Sequence, residues 1–142
     1  MELLERLLEL RREINKVNDM LEELRYSIIS PKNQNITGMP RGSENSDTAI
    51  ERYLLKAERL RVKKERLQNA QRDLWRAVYA DLNAIGAKMG TIELMQQRFY
   101  HGHAWKVCAK NMNDKHPKDN WNTNKCFRAY GWVCKNYTNK NR

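Results

Sequence analysis

Long apolar runs are missing from these 142 residues, and nothing approaches the roughly 20 consecutive apolar residues that a membrane-spanning helix needs. The first ten, MELLERLLEL, alternate acid with leucine and lack the basic start of a signal sequence, so no targeting segment and a soluble protein are expected. Cysteine is scarce and odd in number: Cys108, Cys126 and Cys134 contain no CxxC and cannot close a disulfide framework, which points to a reducing cytoplasm. Phenylalanine is nearly absent, with two Phe beside four Trp and six Tyr, and hydrophobic residues are 40% of the chain. Such a chain can bury a core, but not a large one. Acidic residues thin out toward the C-terminus, and no Gly-rich phosphate loop occurs anywhere.

What the chain has instead is positive charge, unevenly placed. The net +10 divides into −2 over residues 1–30, +5 over 31–90 and +7 over 91–142. A polyanion partner suits this asymmetry. With no Leu-rich basic helix near either end, nucleic acid is favoured over an anionic membrane.

Apolar residues recur at Leu3, Leu7, Leu10, Ile14, Val17, Leu21, Leu24 and Ile28, a seam of alternating four- and three-residue steps. No Gly or Pro interrupts it, so a helix of about 40 Å is predicted, ending at Ser30-Pro31. Residues 31–47 concentrate turn formers and read as a loop. A second helix is predicted from Ser46 or Asp47 to about Ile85-Gly86, with its seam at Tyr53, Ala57, Leu60, Lys64, Leu67, Gln71, Leu74, Val78, Asp81 and Ile85. Polar residues in a seam cost stability but fix register, so the two helices read as a long antiparallel, coiled-coil-like hairpin over 1–90 that assembles into a homo-oligomer through the first seam.

After Gly90 the heptads end, and all His, all Cys and three of the four Trp appear. Three helices are predicted: from Thr91 to about Tyr100 with Ile92, Met95 and Phe99 inward, from about His103 to Met112 with Trp105, Cys108 and Met112 inward, and from about Asn122 to Tyr137 with Phe127, Tyr130, Cys134 and Tyr137 inward. Opposite that last stripe lie Asn124, Lys125 and Arg128, with Thr123 at the helix start and Lys135 farther along. Asn can pair bidentately with adenine and Arg with guanine, whereas Lys106, Lys110, Lys118 and Lys135 suit phosphates. Taken alone, the same residues read more readily as a solvated basic face, and it is the three-helix context that turns the reading toward DNA.

His101, His103, Cys108, His116, Cys126 and Cys134 could be drawn as a zinc set, but no two cysteines have the spacing of a structural knuckle, and buried structural cysteines are the plainer account. Cys and His could also suggest a nucleophile and its base, yet residues 91–142 hold only Glu93, Asp114 and Asp119 as acids. No enzyme, metal or cofactor is expected.

The stretches Met39-Pro40-Arg41-Gly42, Met95 through Trp105, and Asn122 through Arg128 resemble the ArpU/RinA-like family of phage transcriptional regulators, whose C-terminal helices look like region 4 of sigma factors. The resemblance implies a sigma-like helix-turn-helix over 91–142 whose recognition helix begins at Thr123, Asn124, Lys125 and Arg128. It also implies a cytoplasmic activator of late or packaging genes that binds double-stranded promoter DNA in a bacterial host. One departure stands out: the connection from Asn111 to Asn120 is longer than the three or four residues of a compact motif. The alternatives are a terminase small subunit, which joins the same two parts, and a coiled-coil interaction protein that binds host RNA polymerase.

Overall fold

The structure, a computed structural model, describes residues 2–29 and 42–140, with side chains described over 2–27 and 49–137. All its repeating structure is helical: α1 (Glu2–Ile29), α2 (Gly42–Ala84), α3 (Met89–Met95), a π-helical turn (Gln96–Tyr100), α4 (Trp105–Lys115), a 3₁₀ turn (Pro117–Asp119) and α5 (Thr123–Lys140). The fold class is all-α. None of the described helices is long and apolar enough to cross a membrane.

One difference from the expected elements lies at the start of α2. Residues 42–47, assigned above to the loop, already belong to α2. The remaining loop residues, 31–41, and with them Met39, Pro40 and Arg41, lie outside the described residues, as does the side chain of Ile28. At the other end α2 stops as its sequence suggests. Gly86 takes φ +82, the Gly86 N–H donates to the Asn83 carbonyl, and the Ala87 N–H donates to the Leu82 carbonyl. These paired bonds satisfy carbonyls that the helix end would leave open.

The chain packs as two compact units, one of residues 1–12 with 69–142 and the other of residues 13–68. Residues 69–90 thus pack with the C-terminal helices, and Gly90 falls inside a unit instead of between two.

In the first unit, Leu4 and Leu7 of α1 and Val78 and Leu82 of α2 share one core with Ile92, Leu94, Met95, Phe99, Cys108, Met112, Cys126, Val133 and Tyr137. Each large apolar side chain fully withdrawn from water contributes about 1.5–3 kcal/mol. The polar seam residues of α2 find partners here. Gln71, 1% exposed, donates from Nε2 to the Tyr100 carbonyl, and Asp81 accepts the Tyr137 hydroxyl at 2.5 Å. A buried amide so paired avoids the desolvation cost of an orphan.

In the second unit, Ile14, Val17 and Ala57 are buried, and Met20, Leu24, Lys56 and Leu60 line a shared groove. Apolar residues also lie open to solvent: Met20, Tyr26, Ile50, Leu54, Leu55 and Val62. Residues 51–68 are mostly Glu, Arg, Lys and Leu, so helix propensity supports what a thin core does not.

Candidate nucleic-acid interface

The three C-terminal helices are fixed from within. Ile92 and Met95 of α3 and Phe99 of the π turn are buried as their spacing suggested, together with Leu94. On α4, Cys108 and Met112 are buried and Trp105 is half-buried, its ring meeting Phe99 edge-on with centroids 6.2 Å apart. Arg98 lies over the Trp105 ring at 5.2 Å and donates to the His103 carbonyl at 3.0 Å. Gly102 takes φ +73, and a Cβ there would stand 2.8 Å from Cγ of Arg11, so this turn admits no larger residue without moving that side chain.

The long connection between α4 and α5 is braced rather than loose. Asn113 clasps the Trp121 backbone, with Nδ2 donating to the carbonyl and Oδ1 accepting from the N–H at 2.6 Å. Between them Asn120 turns the chain in the left-handed region at φ 51, a conformation Asn tolerates. Asn122 then opens α5, its Oδ1 accepting from the Lys125 N–H at 2.8 Å as a helix cap does.

The inward stripe of α5 is Cys126, Val133 and Tyr137, with Tyr130 half-buried. The expected stripe took Phe127 as inward, but Phe127 is about half exposed and meets Trp105 only by its edge, at 5.7 Å between ring centroids. The small Cys126 fits the crowded helix junction that a phenyl ring would overfill, which rotates the helix by one position.

On the opposite side, Asn124, Arg128, Gly131 and Lys135 are all exposed and follow one another at steps of four, three and four, a single stripe of the helix. A Cβ at Gly131 would meet nothing within 4 Å, so the middle of the stripe is open backbone. Thr123 is half-exposed at the helix start. Lys106 and Lys110, one turn apart on α4, and Lys118 in the 3₁₀ turn are exposed as well. Lys125 also makes contacts within the chain: its ammonium donates to the Asp119 carbonyl and sits 4.5 Å above the Trp121 ring, bracing the connection. Arg128 instead borders a groove with Lys88, Thr91 and Trp121 that the sequence alone did not bring together.

Of the residues considered for oligomerisation, Leu7, Leu10, Ile14 and Val17 are covered by the chain itself, Leu3, Leu21 and Leu24 are half-buried, and Leu4, absent from the expected seam, is fully buried. The chain's own packing thus covers Leu7, Leu10, Ile14 and Val17 and leaves Leu3, Leu21 and Leu24 partly exposed.

The candidate metal residues are dispersed. His116 lies 2.9 Å from Glu93, the rings of His101 and His103 stack with centroids 5.9 Å apart, and no group of three or more His, Cys, Asp or Glu among the described residues is placed to hold a metal ion. Burial, Arg11 and Lys115 together with His103 hold His101 below its ordinary value, burial being the largest cause. Burial also pushes the Cys108 thiol up to about 11, the reverse of what an activated nucleophile requires. No family model, curated protein or solved structure matches this chain.

Proposed function

We propose that the protein is a DNA-binding transcriptional regulator of the ArpU/RinA-like kind, encoded by a phage and acting in the bacterial cytoplasm, with residues 91–142 as a helix-turn-helix-like reader of double-stranded DNA. The observation that carries this reading is the α5 stripe of Asn124, Arg128 and Lys135, interrupted by the bare Gly131 and set opposite the buried stripe. Amide and guanidinium side chains one turn apart can each address a base edge, and Lys106, Lys110 and Lys118 supply cations for the flanking phosphates. Thr123, at the helix start, adds a hydroxyl at the positive end of the helix dipole. The +7 charge of residues 91–142 gives the attraction that brings this face to a duplex. In this reading residues 1–90 form a helical hairpin that carries the reader.

The test is selection of duplexes from a randomised pool by the full chain, followed by titration of selected and scrambled duplexes over a salt series. Asn124→Ala and Arg128→Ala should each cost about 1–3 kcal/mol on the selected site and relax its preference. Lys106→Ala, Lys110→Ala or Lys118→Ala should weaken all duplexes alike and reduce the salt slope by roughly one unit. A pool that yields no enriched sequence, or an intact selected-to-scrambled ratio in both α5 variants, would sink the reading.

A further inference from the structure

Packing accounts for part of Phe127 and leaves the rest in water. The side chain is 49% exposed, and its ring meets that of Trp105 edge-on at 5.7 Å between centroids. Trp105 is itself held by three neighbours: Phe99 at 6.2 Å, Tyr130 at 5.3 Å and Arg98 over its ring at 5.2 Å. Phe127 therefore leans on a fixed support and presents its free surface to solvent.

Single exposed apolar side chains are common and carry no meaning by themselves. The place of this one on α5 does. Phe127 stands one turn after Asn124 and one turn before Gly131, so it borders the exposed stripe of Asn124, Arg128 and Lys135 on the side away from Arg128. Toward the C-terminus the next turn offers bare backbone at Gly131, where an added Cβ would meet nothing within 4 Å. From Thr123 to Lys140 the helix contains Lys125, Arg128, Lys135 and Lys140 and no acid. An apolar ring thus stands in a surface that is otherwise cationic and hydrogen-bonding.

The partner that fits such a surface is anionic, offers donors and acceptors, and carries an isolated apolar group among them. The major groove has this composition, and the thymine 5-methyl is the apolar group that its base edges present. A ring already fixed against Trp105 loses little further freedom when it covers a methyl group.

Resting on the reading of α5 as the helix that enters the major groove, we infer that Phe127 reads thymine, its ring packing on the 5-methyl group. Asn124, one turn earlier, addresses adenine, so the two side chains together select a stretch of duplex that contains A·T pairs. Arg128 supplies the guanine contact from the other side of the stripe. Phe127 adds discrimination by apolar contact to discrimination by hydrogen bonds, and tells thymine from cytosine and from uracil, which lack the methyl group.

The experiment uses the full chain and the duplex selected from the randomised pool, with each thymine replaced by uracil in turn. This exchange removes one methyl group from the major-groove edge and leaves base pairing and phosphates in place. At the thymine that Phe127 covers, the parent should bind about fourfold more weakly, the worth of one buried methyl group. The salt slope should stay unchanged, because no phosphate contact is altered. Phe127→Ala should bind the thymine and uracil duplexes alike while still preferring the selected site to a scrambled one through Asn124 and Arg128. Phe127→Leu, which keeps an apolar side chain against Trp105, should retain the circular dichroism of the parent and part of its thymine preference. A selected site without thymine, a scan in which no exchange weakens the parent, or a Phe127→Ala variant with the parent's thymine-to-uracil ratio would overturn the inference and leave the reading of α5 standing. A pool that yields no enriched sequence would remove that reading, and the inference with it.

Discussion

Residues 2–12 and 13–27 of α1 carry the same three-and-four spacing of apolar residues, yet what covers them differs. Leu4 and Leu7 share a core that draws on α2, α3, α4, α5 and the π turn, whereas Ile14 and Val17 belong to a unit in which Ala57 is the buried apolar residue of α2 and six large apolar side chains lie in water. Spacing therefore tells which side of a helix is inside, but not how much lies on top of it. The polar members of the α2 seam make the same point. Gln71 and Asp81, which look like interruptions of a heptad, are the residues that bond Tyr100 and Tyr137, whereas Lys64 of the thinner unit is only half-buried.

The contrast between the units can be tested by substitution. Leu82→Ala, in the thick core, should cost about 2–5 kcal/mol, read as a large fall in the denaturant midpoint. A loss under 1 kcal/mol would mean that this core is far less tightly packed than its burial indicates.

Tyr137→Phe should cost about 1–3 kcal/mol at neutral pH, because it leaves Asp81 without the hydroxyl it accepts. It should also change the response to alkali. Burial, with the Asp81 hydrogen bond and charge, raises Tyr137 above its ordinary value of 10.0, and burial pushes Tyr130 up to about 12. The unfolded chain ionises these groups near 10.0, so the stability they hold is whole below that pH and is lost as pH climbs through the raised folded values. Denaturant midpoints of the parent should therefore decline steadily above pH 10.0, and those of Tyr137→Phe more gently. Equal slopes would remove Tyr137 from the account.

The smallest effect belongs to the thin unit. Leu54→Ala, at a position 55% exposed, should change monomer stability by no more than about 0.5 kcal/mol. A drop comparable to that of Leu82→Ala would erase the distinction between the units.

Both seams were legible from spacing alone: every described member of each is buried or half-buried. The short helices after Gly90 and their inward Ile92, Met95, Phe99, Cys108 and Met112 were legible for the same reason. Phe127 misled because hydrophobicity ranks a phenyl ring above the thiol of Cys126, whereas a tight helix junction selects by size. The grouping of residues 69–90 with the C-terminal helices was hidden because α2 runs on without a break in composition, and a unit boundary inside a continuous helix leaves no turn signal. On the candidate interface, exposure of Asn124, Arg128 and Lys135 followed from periodicity, but the contacts of Lys125 with Asp119 and Trp121 depend on a connection whose path no local pattern dictates.

The clasp of Asn113 on Trp121 has a thermodynamic consequence. Two hydrogen bonds from one side chain to both polar groups of a single peptide residue close the seven residues between them into a ring without a covalent link. The conformational entropy of that connection, about 1–2 kcal/mol for each residue of backbone fixed, is surrendered during folding. Whatever meets the exposed stripe of α5 finds its first turn already set, and no ordering penalty for that segment is left to subtract from the affinity.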